Sequence, residues 1–351
     1  MTIFEVEHRR VLRWLWANIL GASGCLWWAK RQLRRSGAVV PLTFHRVLRD
    51  ADSRRTHSLP GVVLLESTYR KLVRHVVRRF DPVDLRKSEP RTRSCRLRVA
   101  LTFDDGWMDT YTVALPVARE WGVPFLVFVC PQLVDQEIPF WPERLVALIR
   151  ATQPSTRTKE IETLIENLKL ATPEQREAYL AKLRETSQRQ AGSIDSTSID
   201  RTLSWAAIAE MHQEGIGFGS HTQTHQILTA IPLDVARQEV RTSKAAIESV
   251  LAEDCDTFAY PNGNCSPEIQ NILAEAGFRL AVTTARGAWT TASDYLAIPR
   301  SNICEDNVTG RTGRFSATMF EYTTFWKAWR ATKADYRLKP RTHRPATPVT
   351  V

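Results

Sequence analysis

The sequence has no Cys-x-x-Cys pair, although it carries six cysteines: Cys25, Cys95, Cys130, Cys255, Cys265 and Cys304. That spacing excludes a disulfide framework and a structural zinc knuckle, and leaves buried free thiols in a reducing compartment as the expectation. The chain also lacks an uninterrupted run of about twenty apolar residues, the length that spans a bilayer as a helix. Its most apolar stretch, residues 11–29, is interrupted by Arg13, Gly21, Ser23 and Gly24. No small-residue cleavage site follows that stretch, so no cleavable signal peptide is expected. There is no internal repeat. No basic motif interleaved with aromatics is present, so no nucleic-acid partner is expected.

Acidic residues are in deficit. Lys and Arg number 48 against 38 Asp and Glu, a formal charge of +10. The excess collects near the ends, at Arg9, Arg10, Arg13, Lys30, Arg31, Arg34 and Arg35, then Arg337, Lys339, Arg341 and Arg344. Such a balance suits an anionic surface, an acidic polymer or a solvated Arg-rich exterior. Residues 1–37 read as an amphipathic, Trp/Arg-rich helical segment. Trp14, Trp16, Trp27 and Trp28 beside basic clusters fit a helix lying at a membrane interface. A helix packed on the outside of the main domain fits them as well. The expected location is the cytoplasm or the periphery of the inner membrane.

At 351 residues, with 43% hydrophobic and 25% charged residues, the chain can bury a sizeable core. Strands are expected at 38–47, 98–103, 123–129, 216–220, 257–260, 279–284 and 296–300. Helices are expected at 66–79 (capped by Ser67 or Thr68), 108–120, 203–214, 233–251 and 267–276. That alternation predicts a parallel α/β sheet. Residues 141–190 are charged, helical and poor in strand formers, with a helix start at Thr172-Pro173-Glu174-Gln175. They read as a helical insertion, about 141–200, within a domain of residues 38–310. A helix at 319–332 and a basic, disordered tail complete residues 311–351.

The polar residues of interest share one position, the C-terminal end of an expected strand. His45 ends the first, Asp104 and Asp105 follow 98–103, His221 and His225 follow 216–220, and Tyr260-Pro261-Asn262 follows 257–259. Parallel α/β folds build their active sites there. Asp104-Asp105 alone also reads as an acidic turn or a helix cap. His221 and His225, four apart, fall on one helical face or in one tight loop, a spacing used by zinc ligands. The Glu that follows the first His in zinc proteases is absent. Two His and one Asp would leave a metal an open position.

Thr102-Phe103-Asp104-Asp105-Gly106 and His221-Thr222-Gln223-Thr224-His225 together resemble the polysaccharide deacetylases (NodB-homology domain, carbohydrate esterase family 4). The resemblance runs from about residue 40 to 303. It implies a distorted (β/α)7-type, TIM-like barrel with the helical insertion and terminal helices added. It implies a divalent metal, zinc first, on Asp105, His221 and His225, with Asp104 as general base. It implies hydrolysis of N-acetyl, or O-acetyl, groups on a polysaccharide or oligosaccharide of a bacterial exopolysaccharide or cell surface. The third family motif, normally Arg-x-Pro-Tyr, is Ala259-Tyr260-Pro261-Asn262-Gly263 here, so the base-orienting Arg is missing. Tyr260, Pro261 and Asn262 remain candidates for substrate or oxyanion contacts. Arg300, at another expected strand end, is the candidate substitute for the Arg, and it also reads as a surface Arg. The late Leu-x-His is missing too, because no His falls between His225 and His343. Phe44-His45 resembles the variant in which the general acid comes from the first strand. Two other readings stay open: a glycan-binding or scaffold protein that keeps the metal site without catalysis, and a metal-dependent hydrolase of a non-sugar amide.

Overall fold

The computed structural model describes residues 3–91, 94–191 and 199–338. The expected basic tail beyond 338, and residues 192–198 near the end of the expected insertion, lie outside the described residues. Two helices, α1 (Ile3–Ala22) and α2 (Cys25–Arg35), precede the first strand, β1 (Val39–Phe44). The stretch 11–29 is therefore not one helix. Gly24 at φ 78° turns the chain between two.

A short parallel pair, β2 (Arg46–Leu48) and β3 (Val63–Leu65), leads into α3 (Glu66–Arg79). Tyr69, Leu72, Val73 and Val76 repeat at helical spacing and bury one face of α3. Neither Ser67 nor Thr68 caps this helix, because its first turn begins one residue too early. Leu65 takes the cap position, and Asp50 accepts from the Ser67 backbone N–H at 3.1 Å. Then follow β4 (Asp81–Pro82), β5 (Arg98–Phe103), α4 (Leu115–Trp121) and β6 (Phe125–Val129). The helix expected at 108–120 opens instead as a π-helical turn, Thr110–Ala114.

Helices α5 (Trp141–Thr152), α6 (Thr158–Lys169) and α7 (Pro173–Ala191) form the helical insertion. The start of α7 is a capping box: Gln175 N–H donates to Thr172 Oγ1 and Thr172 N–H to Gln175 Oε1. The insertion has its own small core of Phe140, Trp141, Leu145, Leu148, Ile149, Ile161, Ile165 and Leu180, which Trp107 joins.

The alternation resumes with α8 (Trp205–Gln213), β7 (Gly217–Ser220), α9 (Leu233–Leu251), β8 (Thr257–Ala259), α10 (Pro267–Glu275), β9 (Leu280–Val282) and β10 (Ser301–Asn302). Short helices α11 (Glu305–Val308) and α12 (Ala317–Glu321), a π-helical turn at Tyr322–Trp326 and α13 (Lys327–Leu338) end the described chain.

The main sheet is wholly parallel, in the order β10-β1-β5-β6-β7-β8-β9, with β4 beside the start of β5. It curls into a distorted (β/α)7-type barrel. The strand expected at 296–300 is reduced to a single bridge between Val282 and Ile298. That segment runs on into β10, whose Ser301 pairs with Leu42 of β1. Residues 298–302 thus join both edges of the sheet.

Strand period sorts the side chains. Val39, Ala100, Leu126, Phe128, Leu280, Val282 and Ile298 fill the barrel interior. Val40, Leu42, Phe44, Val99, Leu101, Phe103, Val127 and Val129 pack outward under the helices. Extending the period places His45, Asp104 and Arg300 on the interior set, at the C-terminal mouth. The thiol expectation needs one correction: Cys130, Cys255 and Cys304 are buried, but Cys95 and Cys265 are exposed.

Candidate active site

In the β1–β5 register Phe44 lies opposite Phe103, so His45 and Asp104 come next, side by side. The Asp104 N–H donates to Phe44 O at 2.9 Å, which locks that juxtaposition. Asp105 then turns the chain at φ 70°, and Gly106 follows at φ 68°. A Cβ on Gly106 would meet Val129 Cγ1 at 2.9 Å, so the motif's glycine is required twice over. The turn sends the two carboxylates to different partners.

Asp104 meets Arg300. Nη1 donates to Oδ1 and Nη2 to Oδ2, each at 2.7 Å, and both residues are buried. This fork-on-fork pairing fixes the plane of the carboxylate. The guanidinium is held in turn by Thr102 Oγ1 at 2.9 Å and Thr283 O at 3.1 Å. Burial by itself would push the Asp104 carboxyl up. The Arg300 charge and hydrogen bonds outweigh it and hold the group below its ordinary value. Arg300 is therefore not a surface residue, and it puts a guanidinium on Asp104 in a chain whose third motif carries no Arg.

Asp105 meets the histidines. Its Oδ1 lies 3.2 Å from His225 Nε2 and 3.5 Å from His221 Nε2. One donor atom from each of the three residues lies within 4.8 Å of the others. His221 Nδ1 donates to Ala259 O at 2.7 Å, so its Nε2 keeps the lone pair that faces Asp105. Two imidazoles and one carboxylate, with one tautomer already set, fit a zinc-type ion. The His spacing of four is realised in a loop, not on a helix. Thr222 and His225 adopt φ 65° and 61°, and Glu239 of α9 accepts from both the N–H and the hydroxyl of Thr224. Left-handed, non-glycine backbone at Asp105, Thr222, His225 and Asn262 clusters around this one site, where such strain is commonly stored.

Burial would push the Asp105 carboxyl up, but its hydrogen-bonding contacts with His221 and His225 outweigh that and hold it well below its ordinary value, and His45 adds a smaller downward pull on both Asp104 and Asp105. His45 Nδ1 is buried without a hydrogen-bond partner. Tyr260 is elsewhere in effect: it is fully buried against Phe258, and its hydroxyl is spent on Leu296 O at 2.8 Å. It is a packing residue, because strand period turns it outward into the core beneath the helices. Pro261 is buried and opens the tight turn that presents Asn262 at φ 59°. Asn262 Oδ1 accepts from Lys169 Nζ at 3.1 Å, so the end of α6 reaches across to the mouth of the barrel.

Several residues here carry no motif. Trp107 Nε1 donates to Asp105 Oδ2 at 3.2 Å, leaving Oδ1 for the histidine side. Arg46 stacks on the Trp107 ring at 4.1 Å. Phe140, at the foot of the insertion, lies edge-on to His225 at 4.9 Å. The one hint in the sequence is adjacency, since Arg46 follows His45 and Trp107 follows the motif.

The polysaccharide deacetylase family model matches residues 92–281, more than half of the 351-residue chain. A Bacillus subtilis (strain 168) protein named "Putative polysaccharide deacetylase YxkH" is 19% identical over 58% of this chain. That alignment covers 51% of the relative, so the chain spans about half the length of the curated protein it matches. Among solved structures, a Streptococcus pyogenes deacetylase, PplD, in complex with acetate superposes with a TM-score of 0.54 at 18% identity, covering 79% of this chain and 96% of that one. IcaB from Ammonifex degensii gives a TM-score of 0.52 at 19% identity, with coverages of 77% and 94%. The BpsB deacetylase domain from Bordetella bronchiseptica gives 0.50 at 17%, with 76% and 96%. These likenesses are likenesses of fold. The family match, covering both motifs whose side chains converge at the mouth of the barrel, shows that this chain belongs to the polysaccharide deacetylase family.

Proposed function

We propose that this chain is a metal-dependent hydrolase that removes N-acetyl groups from a polysaccharide or oligosaccharide, O-acetyl esters being the related alternative. The observation that carries this reading is the pair of sites built side by side at the strand ends. A carboxylate locked by Arg300 stands next to a cluster of one carboxylate and two imidazoles. The solved structures with the same fold include the deacetylase PplD, bound to acetate, and the BpsB deacetylase domain, which supports deacetylation as the chemistry.

Asp105, His221 and His225 would hold a divalent ion, zinc by the chemistry of the donor set. Such an ion supplies Lewis-acid polarisation of the acetyl carbonyl. Asp104, kept ionised by Arg300, accepts a proton from the water that attacks the carbonyl carbon. His45 gives a proton to the amine nitrogen as the C–N bond breaks. The backbone N–H near Asn262 is the candidate oxyanion donor. The noncatalytic reading rests on the missing Arg of the third motif, and Arg300 answers it with a guanidinium on the same carboxylate.

Acetate release from N-acetylated oligosaccharides tests the proposal. Turnover is expected, lost on chelation and restored by added zinc. Full activity in the presence of chelator would overturn the metal role. No release from any N- or O-acetylated glycan, by protein that binds zinc, would return the chain to the noncatalytic reading.

A further inference from the structure

Among the side chains described from residue 10 onward, helix α1 packs through one face. Ala17 and Leu20 are buried, Arg10 donates to Thr309 Oγ1 at 3.0 Å, and Arg13 reaches Asp306 O. The opposite face carries Leu12, Leu15, Trp16 and Ile19, which are 51%, 44%, 51% and 55% exposed. Their spacing of three, four and seven is an apolar stripe that no other part of the described chain covers. Helix α2 repeats the arrangement. Leu26, Ala29 and Leu33 are buried, while Trp27 is 62% exposed, and Arg34 and Arg35 are exposed with it. Arg31 lies over the Trp27 ring at 5.3 Å.

Charge selects the occupant. Between Glu7 and Asp50 the sequence has no acidic residue, while Arg13, Lys30, Arg31, Arg34 and Arg35 all fall on or beside these two helices. Lys30 is paired with Glu321, but a second copy of this chain would still bring the positive charge of Arg31, Arg34 and Arg35 to the interface. A bilayer surface rich in anionic headgroups complements it, and tryptophan and arginine are the residues suited to headgroup depth. No helix among the described residues is long and apolar enough to cross a membrane. We therefore infer that the α1–α2 pair seats the protein on an anionic lipid surface, with Leu12, Leu15, Trp16, Ile19 and Trp27 in the interface and the α2 arginines against the headgroups. The exposed α1 stripe, not composition alone, carries this inference, and it does not depend on catalysis.

The test is co-sedimentation of the full chain with vesicles of phosphatidylcholine alone or with phosphatidylglycerol added. Binding is expected to the anionic vesicles and to weaken with salt. The triple variant Leu15→Ser, Trp16→Ser, Ile19→Ser should bind at least about tenfold more weakly. Arg31→Gln with Arg35→Gln should lose roughly fivefold per charge. Acetate release from a soluble oligosaccharide should stay unchanged in both variants, which shows that the fold is intact. Absence of binding to anionic vesicles overturns the inference, as does equal binding by wild type and triple variant. A concentration-dependent dimer that the triple variant dissolves, without vesicle binding, assigns the face to a second copy and overturns it too.

Discussion

Among the described residues Arg46 and Arg300 are both fully buried, and their surroundings differ in one respect. Each is ion-paired, and each lies over an aromatic ring, Arg46 over Trp107 and Arg300 over Phe128. Arg300 faces a single carboxylate, Asp104, and its remaining donors go to neutral oxygens. Charge there is balanced, so the carboxylate stays ionised. Arg46 faces Asp109 at 2.6 Å and Asp200 at 2.9 Å, and through Ser58 it reaches Glu143 of the insertion. One cation cannot balance three buried acids. Burial pushes Glu143 up to about 7 against the pull of Arg46, and Asp109 is raised too. Glu143 Oε2 has no hydrogen-bond partner, as suits a carboxyl that can keep its proton. The balanced pair keeps its carboxylate ionised, as the proposed base requires, and the unbalanced cluster ties the insertion to the barrel.

The sharpest way to test the balanced pair is to neutralise its acid. Asp104→Asn should keep bound zinc, measured by metal analysis, and lose a factor of about 100 to 10,000 in acetate release. Removing the cation instead, in Arg300→Met, strands a buried carboxylate. Urea unfolding should show a loss of about 3–5 kcal/mol, much of it recovered in the double variant with Asp104→Asn. An additive double variant would show that the two groups are not coupled.

The unbalanced cluster should respond to pH. Glu143 has a folded-state pKa above its ordinary value, so its contribution to stability declines as pH rises from 4.5 to about 7. The decline is at most about 3 kcal/mol, and Glu143→Gln should flatten it in unfolding curves taken across that range. If wild type and variant keep parallel stability profiles, Glu143 is not the buried proton store. The smallest effect expected is at the join between the two regions. Trp107→Phe removes the indole N–H from Asp105 and should weaken zinc binding about tenfold in a chelator competition, leaving the fold intact.

What the sequence disclosed follows from period and position. β5, α3 and α9 were legible to the residue, because strand alternation or helical spacing is uninterrupted in each. Asp104, Asp105, His45, His221 and His225 were legible as a set because all lie at strand ends. Arg300 was legible only as one of two readings, since the segment around it makes a single bridge and lacks a strand's pattern. That the Tyr260 side chain packs into the core was not legible, because its motif neighbours hid its parity. Trp107 and the Arg46 cluster were missed for another reason. Arg46 and Asp200 are 154 residues apart, and nothing local marks a partner at that distance.

Residues 298–302 hydrogen-bond to both edges of the sheet, and Arg300 rides on them. Closing the ring and orienting the Asp104 carboxylate therefore depend on the same segment. A chain caught before that seam zips has no oriented carboxylate, whatever else it has folded. If the proposed activity holds, it doubles as a certificate of completed assembly, and a partly folded molecule would stay chemically silent.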